Sequence, residues 1–123
     1  MKFMCLAYED EGELNALSAG EWDSLRRETL AYVERLRKSG HLVATQALQS
    51  ARTAATVQVR GGKLSVTDGP FAETKEQIGG FFMIEARNRD EAVELASSWP
   101  SARLGTIEVR PIEEELRLDR RYA

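Results

Sequence analysis

A single α+β layer, one sheet with its helices on one face, is the architecture this sequence predicts. Three observations predict it. Two segments show helical periodicity behind recognisable caps, short apolar runs of strand length separate them, and 123 residues suit one domain. With 42% hydrophobic and 30% charged residues, such a chain buries an ordinary core without needing disulfides or metals.

Residues 2–8 open the chain as a strand that is apolar on both faces. Phe3, Cys5 and Ala7 share one face, and Met4, Leu6 and Tyr8 the other. The acidic stretch 9–13 reads as a solvated connection. Ser18 then begins a helix, with Glu21 three residues on to complete a capping box. Trp22, Leu25, Thr29, Tyr32, Val33 and Leu36 recur at helical spacing and define its buried face, and Gly40 ends it.

Residues 42–48 form a weak strand. Residues 54–60 and 63–67 make a hairpin across Gly61-Gly62, with Val57 and Val59 facing Leu64 and Val66. After a loop over 68–78, residues 81–86 form another strand that is apolar on both faces. Asn88 caps a second helix running to Ser98, whose buried side is Ala92, Leu95, Ala96 and Trp99, and Pro100 stops it. Residues 106–110 are the last strand, followed by a charged tail over 113–123.

The order is β-α-β, a hairpin insertion, then β-α-β, which is the ferredoxin-like arrangement over residues 1–112. Two helices can cover only one face of its sheet. The other face, apolar on 2–8 and 81–86, calls for a partner, and a second copy of the chain is the economical one. A homodimer is therefore expected.

Charge and composition narrow the function classes. Twenty acidic residues against seventeen basic ones give a net charge of −3, with the signs interspersed, so there is no basic footprint for nucleic acid or for a membrane surface. No segment has the length of a signal peptide or a membrane span, and the single cysteine suits a reducing compartment, so a cytoplasmic location is expected. Cys5 sits in an apolar run and reads as a buried structural thiol. His41 has no second histidine or cysteine for company, Gly61-Gly62 lacks the Lys-Ser/Thr of a phosphate loop, and no Rossmann or nucleophile-elbow pattern occurs. Neither cofactor nor metal is expected.

The informative stretch is 67–80. Asp68-Gly69-Pro70 is turn chemistry, and Phe71 is a large apolar group that should plug into a pocket. Asp68, Glu73, Lys75 and Glu76 crowd the same loop. A carboxylate beside an ammonium near an aromatic wall can bind a polar small molecule or move a proton. A structural turn with solvated charges fits the same spacing.

The run VTDGPFAETKEQIGGFFMIEA, with the opening KFMCLAY and the closing GTIEVRPI, resembles the DGPF family, the YCII-related proteins. The resemblance spans residues 1–112. It implies a dimeric α+β barrel of bacterial origin, in a family that is largely uncharacterised and sometimes associated with extracytoplasmic-function sigma factors. It also implies a contrast. Family members carry a proposed His–Asp dyad, and the matching places here hold Thr29 and Trp99, which cannot shuttle a proton as a pair.

The expected function is thus a homodimeric ligand-binding or regulatory module. Its pocket is expected at Gly69, Pro70, Phe71, Glu73 and Lys75, with walls from 2–8 and 81–86 and a contribution from Thr29. The alternative is a cofactor-free isomerase or lyase in which Asp68 or Glu76 moves the proton, acting on a small polar or aromatic-derived substrate.

Overall fold

A computed structural model describes residues 1–118 and Arg121. Six strands, β1 (Lys2–Glu9), β2 (Leu42–Ala47), β3 (Ala55–Arg60), β4 (Lys63–Asp68), β5 (Gln77–Glu85) and β6 (Thr106–Pro111), alternate with helices α1 (Glu11–Asn15), α2 (Ala19–Lys38) and α3 (Arg89–Ser97). The main sheet has the order β2-β5-β1-β6, every neighbour antiparallel, and β3-β4 forms a separate two-stranded sheet. This is the ferredoxin-like α+β fold with an inserted hairpin. Of the tail, Leu116–Leu118 make a 3-10 turn, and positions 119, 120, 122 and 123 lie outside the described residues.

The registers divide the sheet's residues between two faces. Phe3, Cys5 and Ala7 of β1 pair with Ile84, Phe82 and Gly80 of β5 and with Pro111, Val109 and Ile107 of β6. On this side Phe3, Cys5, Phe82 and Ile84 are fully buried under Tyr32 and Leu36 of α2 and Ala92 and Ala96 of α3. Trp99 completes the core, stacked on Phe82 at 4.0 Å and meeting Tyr32 edge-on at 6.1 Å. The Tyr32 hydroxyl donates to the Leu95 carbonyl at 2.6 Å, tying α2 to α3 across the same cluster. Burial pushes the Cys5 thiol up to about 12, so it stays a neutral core group rather than a nucleophile. The opposite face carries Met4, Leu6 and Tyr8 beside Phe81 and Met83, all half-buried, with no helix of the described residues over them.

The caps form as their residues dictate. The Ser18 hydroxyl accepts from the Glu21 amide at 3.1 Å, and Glu21 accepts from the Ser18 amide at 3.0 Å. That backbone bond holds the Glu21 carboxyl below its ordinary range. Ser18→Ala removes one side of the box and is expected to cost about 1 kcal/mol in a urea melt. Asn88 caps α3 through the Glu91 amide. Gly61 and Gly62 take φ of 56° and 75°, the left-handed pair that a two-residue hairpin turn needs.

Two expectations are corrected. Residues 9–13 are not merely a solvated link, because Asp10 caps the short α1 by accepting from the Gly12 and Glu13 amides. Trp22 is not core: it is 44% exposed and faces a shallow pocket with Leu14 and Leu17 rather than the sheet. The hairpin pairs as expected, Val57 with Val66 and Val59 with Leu64, and these side chains stand exposed.

Candidate functional site

The loop between β4 and β5 is held by its own polar groups. Gly69 takes a φ of 105° after Asp68, and its amide donates to the Ala54 carbonyl at 2.7 Å while its carbonyl accepts from the Thr56 hydroxyl. The Gln77 side-chain amide donates back to the Ala72 and Thr74 carbonyls at 2.8 and 3.0 Å, and the Thr74 hydroxyl donates to the Glu76 carbonyl at 2.6 Å. Gln77 thus acts as the clamp of a loop that lacks a ladder. Below the loop, the Leu48 amide donates to the Gly79 carbonyl, and the Glu11 carboxylate accepts from the Ala51 amide at 3.0 Å.

This arrangement opens two adjoining clefts that share Ala51, Pro70, Thr74 and Gln77. The larger, of about 550 Å³, has apolar walls from Tyr8, Leu48, Pro70, Phe71 and Ile78, with Glu76 among its polar residues. That volume lies in the range of small-molecule sites, which combine apolar walls with a few placed polar groups. The smaller, of about 440 Å³, is polar and includes Asp10, Glu11, Arg52, Glu73 and Lys75. Among the described residues, no group of His, Cys, Asp and Glu is placed to hold a metal ion. Among the same described residues, no helix is long and apolar enough to cross a membrane.

The structure distributes the expected site residues unevenly. Pro70, Phe71 and Glu76 line the larger cleft, and Pro70, Glu73 and Lys75 the smaller. Phe71 does not plug into a pocket: it is 79% exposed, a wall at the rim. Asp68 is exposed at the end of β4, lines neither cleft, and pairs through its backbone with Ala55. Thr29 is also apart from the loop; its hydroxyl donates to the Leu25 carbonyl within α2. Trp99 occupies the aromatic core described above, where no titratable group could replace it without loss of packing.

Of the two walls expected from the sequence, residues 2–8 supply Tyr8 to the larger cleft, whereas residues 81–86 line neither cleft; Leu48, Gln77 and Glu9 were not singled out. Glu9 lies directly over Gly79, where any Cβ would overlap its carboxylate. Burial first, and the charge of Glu11 second, raise its carboxyl above the ordinary carboxylate range. The signal available was the paired Gly79-Gly80, since a glycine inside a strand marks a close approach.

The family model for the YCII-related domain matches residues 1–115. The chain belongs to the YCII-related family. An uncharacterised protein of Rhizobium meliloti (strain 1021) is 36% identical to this YCII-related chain over 114 residues, covering 91% of this chain and 92% of that one. Among solved structures, the fold matches 5-chloro-2-hydroxyhydroquinone dehydrochlorinase (TftG) from Burkholderia phenoliruptrix AC1100, in complex with 2,5-dihydroxybenzoquinone. The TM-score is 0.54 at 18% identity, with 92% of this chain and 94% of that chain covered. At that identity the likeness is one of fold.

Proposed function

We propose that this YCII-related protein binds a small organic molecule in the cleft between the 69–78 loop, residues 48–54 and the end of β1. The observation that carries the reading is the 550 Å³ cleft itself, apolar on most of its walls, with residues of the family-like loop lining one side. A solved protein of the same fold holds a small cyclic compound, which supports a ligand of that size.

The reading includes a second copy of the chain. Met4, Leu6, Tyr8, Phe81 and Met83 make a half-buried apolar face that no helix or strand of the described residues covers, and Tyr8 continues from that face into the cleft. A copy seated there would wall off one end of the binding site. Sedimentation equilibrium returning only monomer at tens of micromolar would remove the dimer from this proposal. A sigma factor or other regulator that reads the bound state fits the same module, as the family resemblance implies.

Hydroquinone, small and neutral, is the test ligand for the cleft. Titrated into the 15N-labelled chain, it is expected to shift amides of Tyr8, residues 48–54 and residues 71–78 together. Phe71→Ala should weaken its binding about fivefold while leaving the melting temperature within a degree or so, because the ring lies outside the core. Shifts confined to α2 or scattered over the surface would defeat the reading.

A second reading, a cofactor-free isomerase or lyase, draws on the dehydrochlorinase activity named for the solved neighbour. Under it Glu76, which lines the cleft, is better placed than Asp68 to move a proton. Retention of turnover in Glu76→Gln, with any substrate once found, would exclude that role.

A further inference from the structure

The charges around the loop allow the ligand's class to be narrowed, on the basis of the small-molecule reading above. We infer that the ligand is an amine, a protonated ammonium on a small apolar body, held by Glu76 within walls that include Tyr8 and Phe71.

Among the described residues, Glu76 is the one charged residue lining the larger cleft. It is half-buried, and among the described residues its carboxylate neither accepts a hydrogen bond nor joins an ion pair. A carboxylate set in mostly apolar walls gains most from a partner that brings both charge and donors.

Three of the side-chain donors lining the cleft are already engaged. The Thr53 hydroxyl is engaged with the Ser50 carbonyl at 2.7 Å, the Thr74 hydroxyl with the Glu76 carbonyl, and the Gln77 amide with the loop carbonyls. The Glu76 carboxylate is an acceptor only, and an ammonium group offers three donors and no acceptor.

The adjoining polar cleft adds to the same bias. Its three carboxylates (Asp10, Glu11 and Glu73) stand against two cations (Arg52 and Lys75), which leaves one further negative charge beside that of Glu76. Such a field draws a cation in and turns an anion away. The rings of Tyr8 and Phe71 can then stabilise the ammonium through their quadrupoles, as aromatic-walled amine sites do.

The test uses three molecules of matched size on the full chain at pH 7 and low salt: phenethylamine, 2-phenylethanol and phenylacetate. Phenethylamine is expected to bind about tenfold tighter than 2-phenylethanol, with phenylacetate weakest. Glu76→Gln should bring phenethylamine down to the alcohol's affinity and leave the alcohol within about twofold. Lys75→Gln, which makes the field more negative, should strengthen phenethylamine roughly twofold and leave the alcohol unchanged. Equal binding of amine and alcohol by the wild type, or an amine advantage that survives Glu76→Gln, overturns the amine inference. The alcohol's amide shifts at the cleft would then still uphold the small-molecule reading. No binding of any of the three at the cleft overturns both.

Discussion

Trp99→Ala is expected to lower stability by about 4 kcal/mol, among the largest single effects available in this chain. The ring is 8% exposed and serves three elements at once. It stacks on Phe82 of β5, meets Tyr32 of α2 edge-on, and ends the segment that follows α3. Removing it leaves a cavity that Phe82 and Ile84, fixed in a strand between two neighbours, cannot collapse to fill. Trp99→Phe keeps part of the stack and should cost about half as much. Trp99→Asp restores the residue type that the family resemblance places there, and it should be worse than alanine. It buries a carboxylate against aromatic rings with no cation assigned to it. Urea melts followed by far-UV circular dichroism measure all three. A loss under 1 kcal/mol in Trp99→Ala would show that the position belongs to a site and not to the core.

That outcome bears on how much of this protein could be read from its residues. Local rules carried the fold. Ser18 with Glu21, Asn88 with Glu91, and Gly61-Gly62 each set a boundary through a bond or dihedral made within a few residues, and each formed as expected. The two-sided apolar pattern of 2–8 announced a central strand, and β1 lies between β5 and β6. Local rules failed where the partner is remote. Trp22 has the spacing of a core residue, but nothing in its own helix says that the sheet does not reach it. α1 has no apolar periodicity and rests on the Asp10 cap.

The candidate site was legible along the loop and, through the expected wall at 2–8, at Tyr8, but not along residues 48–54. Crowded charges and turn residues pointed to 68–76, and of the eight expected site residues, seven of them in that loop, five do line one or both clefts. Asp68, Gly69 and Thr29 do not. Spacing cannot tell an acidic residue at the end of an exposed strand from one that lines a cleft, which is the difference between Asp68 and Glu76. The facing wall, Tyr8 and residues 48–54, comes from segments that only the β1-β5 and β2-β5 pairings bring near the loop.

Gly105→Ala is the second large effect, and it connects the fold to the cleft. Gly105 precedes β6 where Thr106 pairs with Tyr8. A Cβ there would overlap the Tyr8 carbonyl oxygen and approach the Tyr8 carbonyl carbon and Glu9 Cα at 3.2 and 3.4 Å. These are backbone atoms of a central strand and cannot swing aside as a side-chain tip can. Either β6 separates from β1 at this end or β1 shifts, and the expected cost is about 3 kcal/mol, or on the order of 10 °C in melting temperature. Gly20→Ala is the control with the opposite sign. Its Cβ would meet nothing closer than the Ser18 hydroxyl at 4.0 Å, and in α2 alanine should be neutral or stabilising by up to about 1 kcal/mol. Because Tyr8 lines the cleft, Gly105→Ala should also weaken hydroquinone binding at temperatures where the variant is still folded, and Gly20→Ala should not. If Gly105→Ala melts like the wild type, the close approach of β6 to β1 is wrong, and with it the position assigned to Tyr8 in the site.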